Sequence, residues 1–154
     1  MAQKIKNIIP LTRPWFGKEE VKAAKEAILS GWVTQGPRVE EFERQFTQYV
    51  NSKYACAVSS CTAALHMALL AVGVKPANVV VTVSHSFIAT ANAIRHCGAE
   101  PAFVDIDLDT YNMSSESLER FLKQDCKIIH KKLFYKKRRV AAILVVHQLG
   151  MPCN

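Results

Sequence analysis

The stretch Val79-Val80-Val81-Thr82-Val83-Ser84-His85-Ser86-Phe87-Ile88-Ala89-Thr90-Ala91-Asn92-Ala93-Ile94 decides how the chain folds. Its opening is almost pure valine with no polar alternation, which is what a strand buried on both faces requires. Ser84-His85-Ser86 then breaks the run as a polar turn, and residues 88–97 read as a helix. A buried strand, a short turn and a helix make one step of a parallel α/β arrangement.

The same alternation continues on both sides. Residues 54–58 read as a short apolar strand, 59–62 as a polar turn and 63–72 as a helix dense in Ala and Leu. Residues 101–104 form a further strand. Residues 115–122 form a short helix with Leu118, Phe121 and Leu122 apolar, and 140–146 a last apolar strand. Toward the N-terminus, Pro10 and Pro14 hold residues 5–16 extended. Residues 18–29 are helical, with Val21, Ala24 and Ile28 on one face and Ser30-Gly31 as the stop. After the loop Trp32-Val33-Thr34-Gln35-Gly36-Pro37, a second helix places Val39, Phe42, Phe46 and Val50 on a stripe expected to be buried, with Glu40, Glu41 and Glu43 near its start. The pattern predicts an α/β sandwich with a mostly parallel sheet. A strand that ends one loop before the last residue calls for a covering helix and another neighbour, so the sandwich is expected to be incomplete.

Composition narrows the class. A chain of 154 residues with 49% hydrophobic content forms one domain of ordinary size rather than a disordered segment. No apolar run reaches the ~18 residues of a membrane span. Residues 1–9 carry two lysines and no apolar centre, unlike a secretory signal, so the expected location is the cytoplasm. The five cysteines are odd in number, widely spaced and without a CxxC pair, which disfavours disulfides or zinc and predicts reduced, mostly buried thiols. The net charge of +7 is accounted for by Lys127, Lys131, Lys132, Lys136, Lys137, Arg138 and Arg139. Confinement to one short segment argues against a nucleic-acid surface. The segment reads as an exposed hairpin, either a lysine-protected edge or a contact for a phosphorylated ligand.

Two turns stand out as candidate sites. In Val58-Ser59-Ser60-Cys61-Thr62-Ala63-Ala64-Leu65 a strand passes through a polar turn into a helix, with Thr62 at its cap or first turn. The free N–H groups of a helix N-terminus suit a phosphate, although such turns also serve simply to cap. Neither a GxGxxG nor a GxxxxGK[ST] pattern is present. The second turn is Ser84-His85-Ser86-Phe87, whose aromatic ring can lie against a planar ligand. Turns leaving adjacent parallel strands face the carboxyl edge of the sheet, where α/β proteins bind ligands. Asp105-Ile106-Asp107-Leu108-Asp109 resembles a calcium loop in part, but Thr110 stands where that loop needs glycine. His66 reads as a packed core residue.

Taken together these segments resemble the DegT/StrS family of sugar aminotransferases dependent on pyridoxal 5′-phosphate (PLP). The resemblance rests on Ile9-Pro10-Leu11 with Arg13-Pro14, and on Ser30-Gly31-Trp32-Val33-Thr34-Gln35-Gly36-Pro37 followed by Val39 and Phe42-Glu43. It continues through Ser60-Cys61-Thr62-Ala63-Ala64-Leu65-His66 and Ser86-Phe87-Ile88-Ala89-Thr90-Ala91-Asn92-Ala93-Ile94. Gly98-Ala99-Glu100-Pro101-Ala102-Phe103-Val104-Asp105-Ile106-Asp107 and Val146-His147 with Gly150-Met151-Pro152 complete the series. Six motifs in order over nearly the whole chain are specific.

The resemblance implies the type I PLP-dependent transferase (aspartate aminotransferase-like) fold, with residues 1–154 as the N-terminal portion of its major, PLP-binding domain. It implies a homodimer and transfer of an amino group from glutamate to a nucleotide-linked keto-sugar in polysaccharide or deoxyamino-sugar biosynthesis. It places the cofactor phosphate on Ser60, Cys61, Thr62 and Ala63 and the pyridine ring on Phe87. It puts Trp32, Thr34 and Gly36 in a loop near the substrate and the dimer contact. Cys61 stands where the family has glycine, which is tolerated if its φ is negative. Residues 127–139 are longer than the family pattern. The lysine that anchors the cofactor and the aspartate that pairs with the ring nitrogen lie beyond the Val146–Pro152 motif in the family. The chain is therefore expected to be a fragment carrying no catalytic residue and inactive alone. The competing expectation is a non-catalytic partner module that binds nucleotide phosphates through residues 127–139.

Overall fold

The computed structural model describes Pro10 and residues 12–154. The chain divides into two compact units, Met1–Ala57 and Val58–Asn154. Most of the expected extended segment up to residue 11 lies outside the described residues, and residues 12–17 have no regular structure.

The first unit holds α1 (Lys18–Leu29) and α2 (Pro37–Val50). Helix α1 opens with the Gly17 N–H donating to the Glu20 carboxylate at 2.6 Å. It stops where Gly31 adopts φ +73°, a left-handed turn that suits glycine. Pro37 starts α2, where its missing N–H costs nothing. Asn51, at φ 52°, ends α2. Arg38 reaches back to Glu26 at 3.3 Å and ties the two helices. The apolar stripe of α2 has the expected spacing but is not buried. Phe42 and Phe46 lie with ring centroids 6.0 Å apart and remain about half exposed, as does Val50. Two short helices do not supply enough surface to cover that stripe, so its burial does not follow from amphipathic spacing alone.

The second unit is a five-stranded sheet in the order β2-β1-β5-β4-β3, with β1 (Val79–Val83), β2 (Glu100–Val104), β3 (Cys126–Ile129), β4 (Lys132–Tyr135) and β5 (Arg138–Ile143). Helices α3 (Cys61–Ala71) and α4 (Ala89–His96) pack on one face and α5 (Ser115–Arg120) on the other. Strand β1 pairs in parallel with β2 and β5, while β4 and β3 extend the sheet antiparallel. All five residues of β1 are buried. Val80 faces Leu69, Ala93 and Ile94 under the two helices, whereas Val79, Val81 and Val83 face Phe121 and Cys126. This two-sided burial is what the valine run demanded.

Three local expectations are corrected. Residues 54–58 are extended but join no ladder. The last strand is Arg138–Ile143 rather than 140–146. The β1–β5 ladder, irregular between Val79 and Val80, ends at the Val81–Ile143 pair, and beyond it the chain is held by single bonds. The Leu144 N–H donates to the Val81 carbonyl at 2.8 Å, and the buried Thr82 hydroxyl donates to the Leu144 carbonyl at 2.8 Å. The helix expected over 115–122 gives way to a π-type turn, Phe121–Asp125. Thr82→Val keeps the shape and removes the donor. It should cost about 1–2 kcal/mol in chemical denaturation of the intact protein, because the Leu144 carbonyl loses its partner.

The basic segment forms two successive hairpins, β3–β4 and β4–β5, rather than one. Their turns, His130-Lys131 and Lys136-Lys137, have positive φ throughout, as tight two-residue hairpin turns require, although neither contains glycine. Arg138 pairs with Glu100 at 3.2 Å, and Arg95 binds the same carboxylate. These partners, Arg95 first, hold the Glu100 carboxyl below its ordinary value. Among the described residues no helix is long and apolar enough to cross a membrane, and all five cysteines are free. Cys97 and Cys126 are buried, but Cys56 and Cys61 are exposed, so the thiols are not mostly buried.

Candidate functional site

Helix α3 ends shortly before β1 begins, and α4 starts shortly after β1 ends. The two helices pack side by side against the same face of the sheet. Chain direction therefore points both N-termini toward the carboxyl edge of the sheet.

The cap of α3 is Ser60, and Thr62 is a residue of its first turn. Its backbone is extended at φ −162°, ψ 161°, and its side chain accepts from the Ala63 N–H at 3.2 Å. The Ser60 carbonyl accepts from the Ala64 N–H at 3.0 Å. The N–H groups of Cys61 and Thr62, the first two helical residues, have no acceptor within the helix. They sit at the positive end of its dipole. Cys61 is helical and not among the residues of positive φ, so a side chain there carries no backbone strain.

The turn after β1 presents Phe87 with 80% of its surface exposed. It is braced from behind. The Thr90 N–H donates to the Phe87 carbonyl at 3.0 Å, and the Ser86 and Thr90 hydroxyls bond to each other at 2.7 Å. His85 packs on Tyr111 with ring centroids 5.5 Å apart, and its carbonyl accepts from the Gln148 side-chain amide. Asp107 is a structural acceptor. Its carboxylate takes the Thr110 N–H at 2.9 Å, the Thr110 hydroxyl at 3.0 Å and the Asp109 N–H at 3.1 Å. These bonds, the Thr110 N–H foremost, hold its carboxyl below the ordinary range. Among the described residues no group of His, Cys, Asp or Glu gathers to hold a metal ion. His66 is half-buried and meets His96 edge-on at 5.7 Å between centroids, a packing contact between α3 and α4.

Sequence reading missed Asn112. It is 2% exposed and joins the loop after β2 to the loop after β5. Only its place in the polar run after Asp107 marked it, and such runs usually read as turns.

In the first unit, Trp32, Thr34 and Gly36 come together around a pocket of about 470 Å³, whose wall also includes Ala27, Val33 and Arg38. The Trp32 indole N–H donates to the Gln35 carbonyl at 2.8 Å. A Cβ on Gly36 would fall 2.1 Å from the indole nitrogen. Gly36→Ala should therefore expel the indole, shift its N–H resonance toward that of free tryptophan, and remove a bond worth about 1 kcal/mol.

The unit, a three-layer α/β arrangement with two helix N-termini at the carboxyl edge, is part of the type I PLP-dependent transferase fold, as its superposition on solved aminotransferases shows. The structure superposes at a TM-score of 0.77 on a DegT/DnrJ/EryC1/StrS aminotransferase from Brucella abortus, with 32% identity, covering 89% of this chain and 35% of that one. It superposes equally well, at 28% identity, on the putative sugar aminotransferase Spr1654 of Streptococcus pneumoniae in its PMP form, covering 95% of this chain and 33% of that one. A sequence relative, the spore coat polysaccharide biosynthesis protein SpsC of Bacillus subtilis, is 39% identical over all of this chain and 36% of its own length. The sequence model of the DegT/DnrJ/EryC1/StrS aminotransferase family matches residues 14–154. The chain belongs to that family, and it spans about a third of the length of the relatives it matches.

Proposed function

We propose that this chain supplies the phosphate- and ring-binding part of the PLP site in an aminotransferase that moves an amino group from glutamate to a nucleotide-linked keto-sugar for polysaccharide biosynthesis. The observation that carries the reading is the pairing, at one sheet edge, of an open helix N-terminus capped by Ser60 with the exposed ring of Phe87. The donor set fits the cofactor. The free N–H groups of Cys61 and Thr62 with the Thr62 hydroxyl suit a phosphate dianion, while the Ala63 N–H is held by the Ser60 cap, and the Phe87 ring suits a flat heterocycle. When bound, PLP supplies the electron sink that lets an amino group leave one carbon and join another. The chain's own residues hold and orient it. Ser60 fixes the first turn of α3, and the Ser86–Thr90 pair fixes the turn that carries Phe87.

No lysine occurs in the turns over residues 59–62, 84–88, 105–114 or 144–152. The anchoring lysine is accordingly proposed to come from outside this segment, and this segment alone to be inactive. The exposed apolar side chains of α1 and α2, among them Val21, Phe42 and Phe46, support a homodimer, with Trp32, Thr34 and Gly36 near the shared site. The enzyme is proposed to act in the cytoplasm. Titration of PLP into the intact protein tests the cofactor reading, which expects saturable binding weakened by inorganic phosphate. Amine transfer from glutamate to nucleotide-linked keto-sugars is the companion assay. Absence of saturable PLP binding would sink the reading.

A further inference from the structure

Three loops leave the carboxyl edge of the sheet side by side, because β1 lies between β2 and β5. The middle loop carries Phe87. The loop after β2 carries Tyr111 and Asn112, and the loop after β5 carries Gln148 and the residues up to Cys153.

Asn112 joins the outer two across the middle one. Its side-chain amide donates to the Met151 carbonyl at 3.0 Å and to the Pro152 carbonyl at 2.9 Å, and its side-chain oxygen accepts from the Gln148 N–H at 2.8 Å. Its own carbonyl accepts from the Asp107 N–H at 2.9 Å. Every polar atom of the buried side chain is thus used. Gln148, fixed through its backbone, then donates from its side chain to the His85 carbonyl in the middle turn. Tyr111 closes on the His85 ring from the other side. The turn that carries Phe87 is held between both neighbours, and among the described residues Asn112 is the one bonded into the loops on either side of it.

We propose that Asn112 is a positioning residue that, through Gln148, fixes the His85–Phe87 turn as the platform for the cofactor ring. An amide is required for this task. It offers two donors and an acceptor in one plane, where aspartate would set a carboxylate against two carbonyls and leucine would strand all three loop groups. The link to the cofactor rests on the PLP reading above; the link between the loops does not.

The test uses the intact protein. Without PLP, Asn112→Ala should speed amide hydrogen exchange at least tenfold both in residues 148–153 and in residues 85–90. Gln148→Ala should speed it in residues 85–90 while largely sparing 148–153. With PLP, both variants should weaken binding by about tenfold. Phe121→Leu, in the core on the opposite face of the sheet, should lower the melting temperature without changing PLP affinity. Unchanged exchange at residues 85–90 in both variants overturns the proposal, whether or not PLP binds. So does unchanged PLP affinity in variants whose loops exchange faster. Wild-type protein that binds no PLP at all would overturn the cofactor reading instead, and the exchange data would still decide the link between the loops.

Discussion

Thr62→Asp should abolish PLP binding, at least about 100-fold in affinity, with the melting temperature of the intact protein unchanged or slightly raised. The two effects have opposite signs for one reason. Thr62 is the second residue of α3, next to N–H groups that have no intrahelical acceptor. A carboxylate there interacts favourably with the helix dipole, by about 0.3–1 kcal/mol. The same carboxylate occupies the place proposed for a phosphate dianion and repels it. Like charges about 4 Å apart near a protein surface interact by up to about 4 kcal/mol per unit pair, and screening brings this down to a few. Ser60→Ala separates capping from binding. It removes the acceptor for the Ala63 N–H and should cost about 1 kcal/mol of stability. Tight PLP binding to Thr62→Asp would remove the phosphate from this turn.

Val81→Asp should prevent the second unit from folding. Val81 has no exposed surface, lies on β1 between β2 and β5, and its side chain packs among Val79, Val83 and Phe121. An unpaired carboxylate buried there costs several kcal/mol, added to about 2 kcal/mol of lost valine burial. That sum is comparable to the whole stability of a domain. Val81→Ala should cost only about 2 kcal/mol and leave a cooperative transition. Ile128→Asp, on β3 and 78% exposed, should change stability by less than about 0.5 kcal/mol. Circular dichroism and chemical denaturation of the three variants check the order.

Much of this was legible in the sequence because it is local. The valine run with its Ser-His-Ser turn gives β1 and the start of α4, and the Ser30-Gly31 stop bounds α1 correctly, while Pro37, read as the end of a loop, is the first residue of α2. What escaped depends on partners distant in the chain. Residues 54–58 are apolar enough for a strand, but a strand needs a neighbour to bond, and pairing is not written in five residues. Beyond the end of β5 the chain is held by the Thr82 hydroxyl, more than sixty positions away in sequence. The stripe of α2 shows the right period, yet period fixes only which side is apolar, not whether anything covers it. Within the candidate site, the turns that hold Ser60, Cys61, Thr62 and Phe87 stood out as polar breaks before helices, and their proposed part in the cofactor site came from the family resemblance. Of the two places expected for Thr62, cap or first turn, the structure has the second, with Ser60 as the cap. Asn112 was not legible, since its partners are the backbone atoms of a loop that begins more than thirty residues later.

The central claim is that the N-terminus of α3 and the Phe87 turn together hold PLP. Residue-resolved amide hydrogen exchange on the intact protein, with and without PLP, tests it most directly. The account predicts added protection at Cys61 and Thr62 and across residues 84–88, lost together in Thr62→Asp. Protection confined to residues 127–139, or none in either turn when PLP is bound, would contradict it.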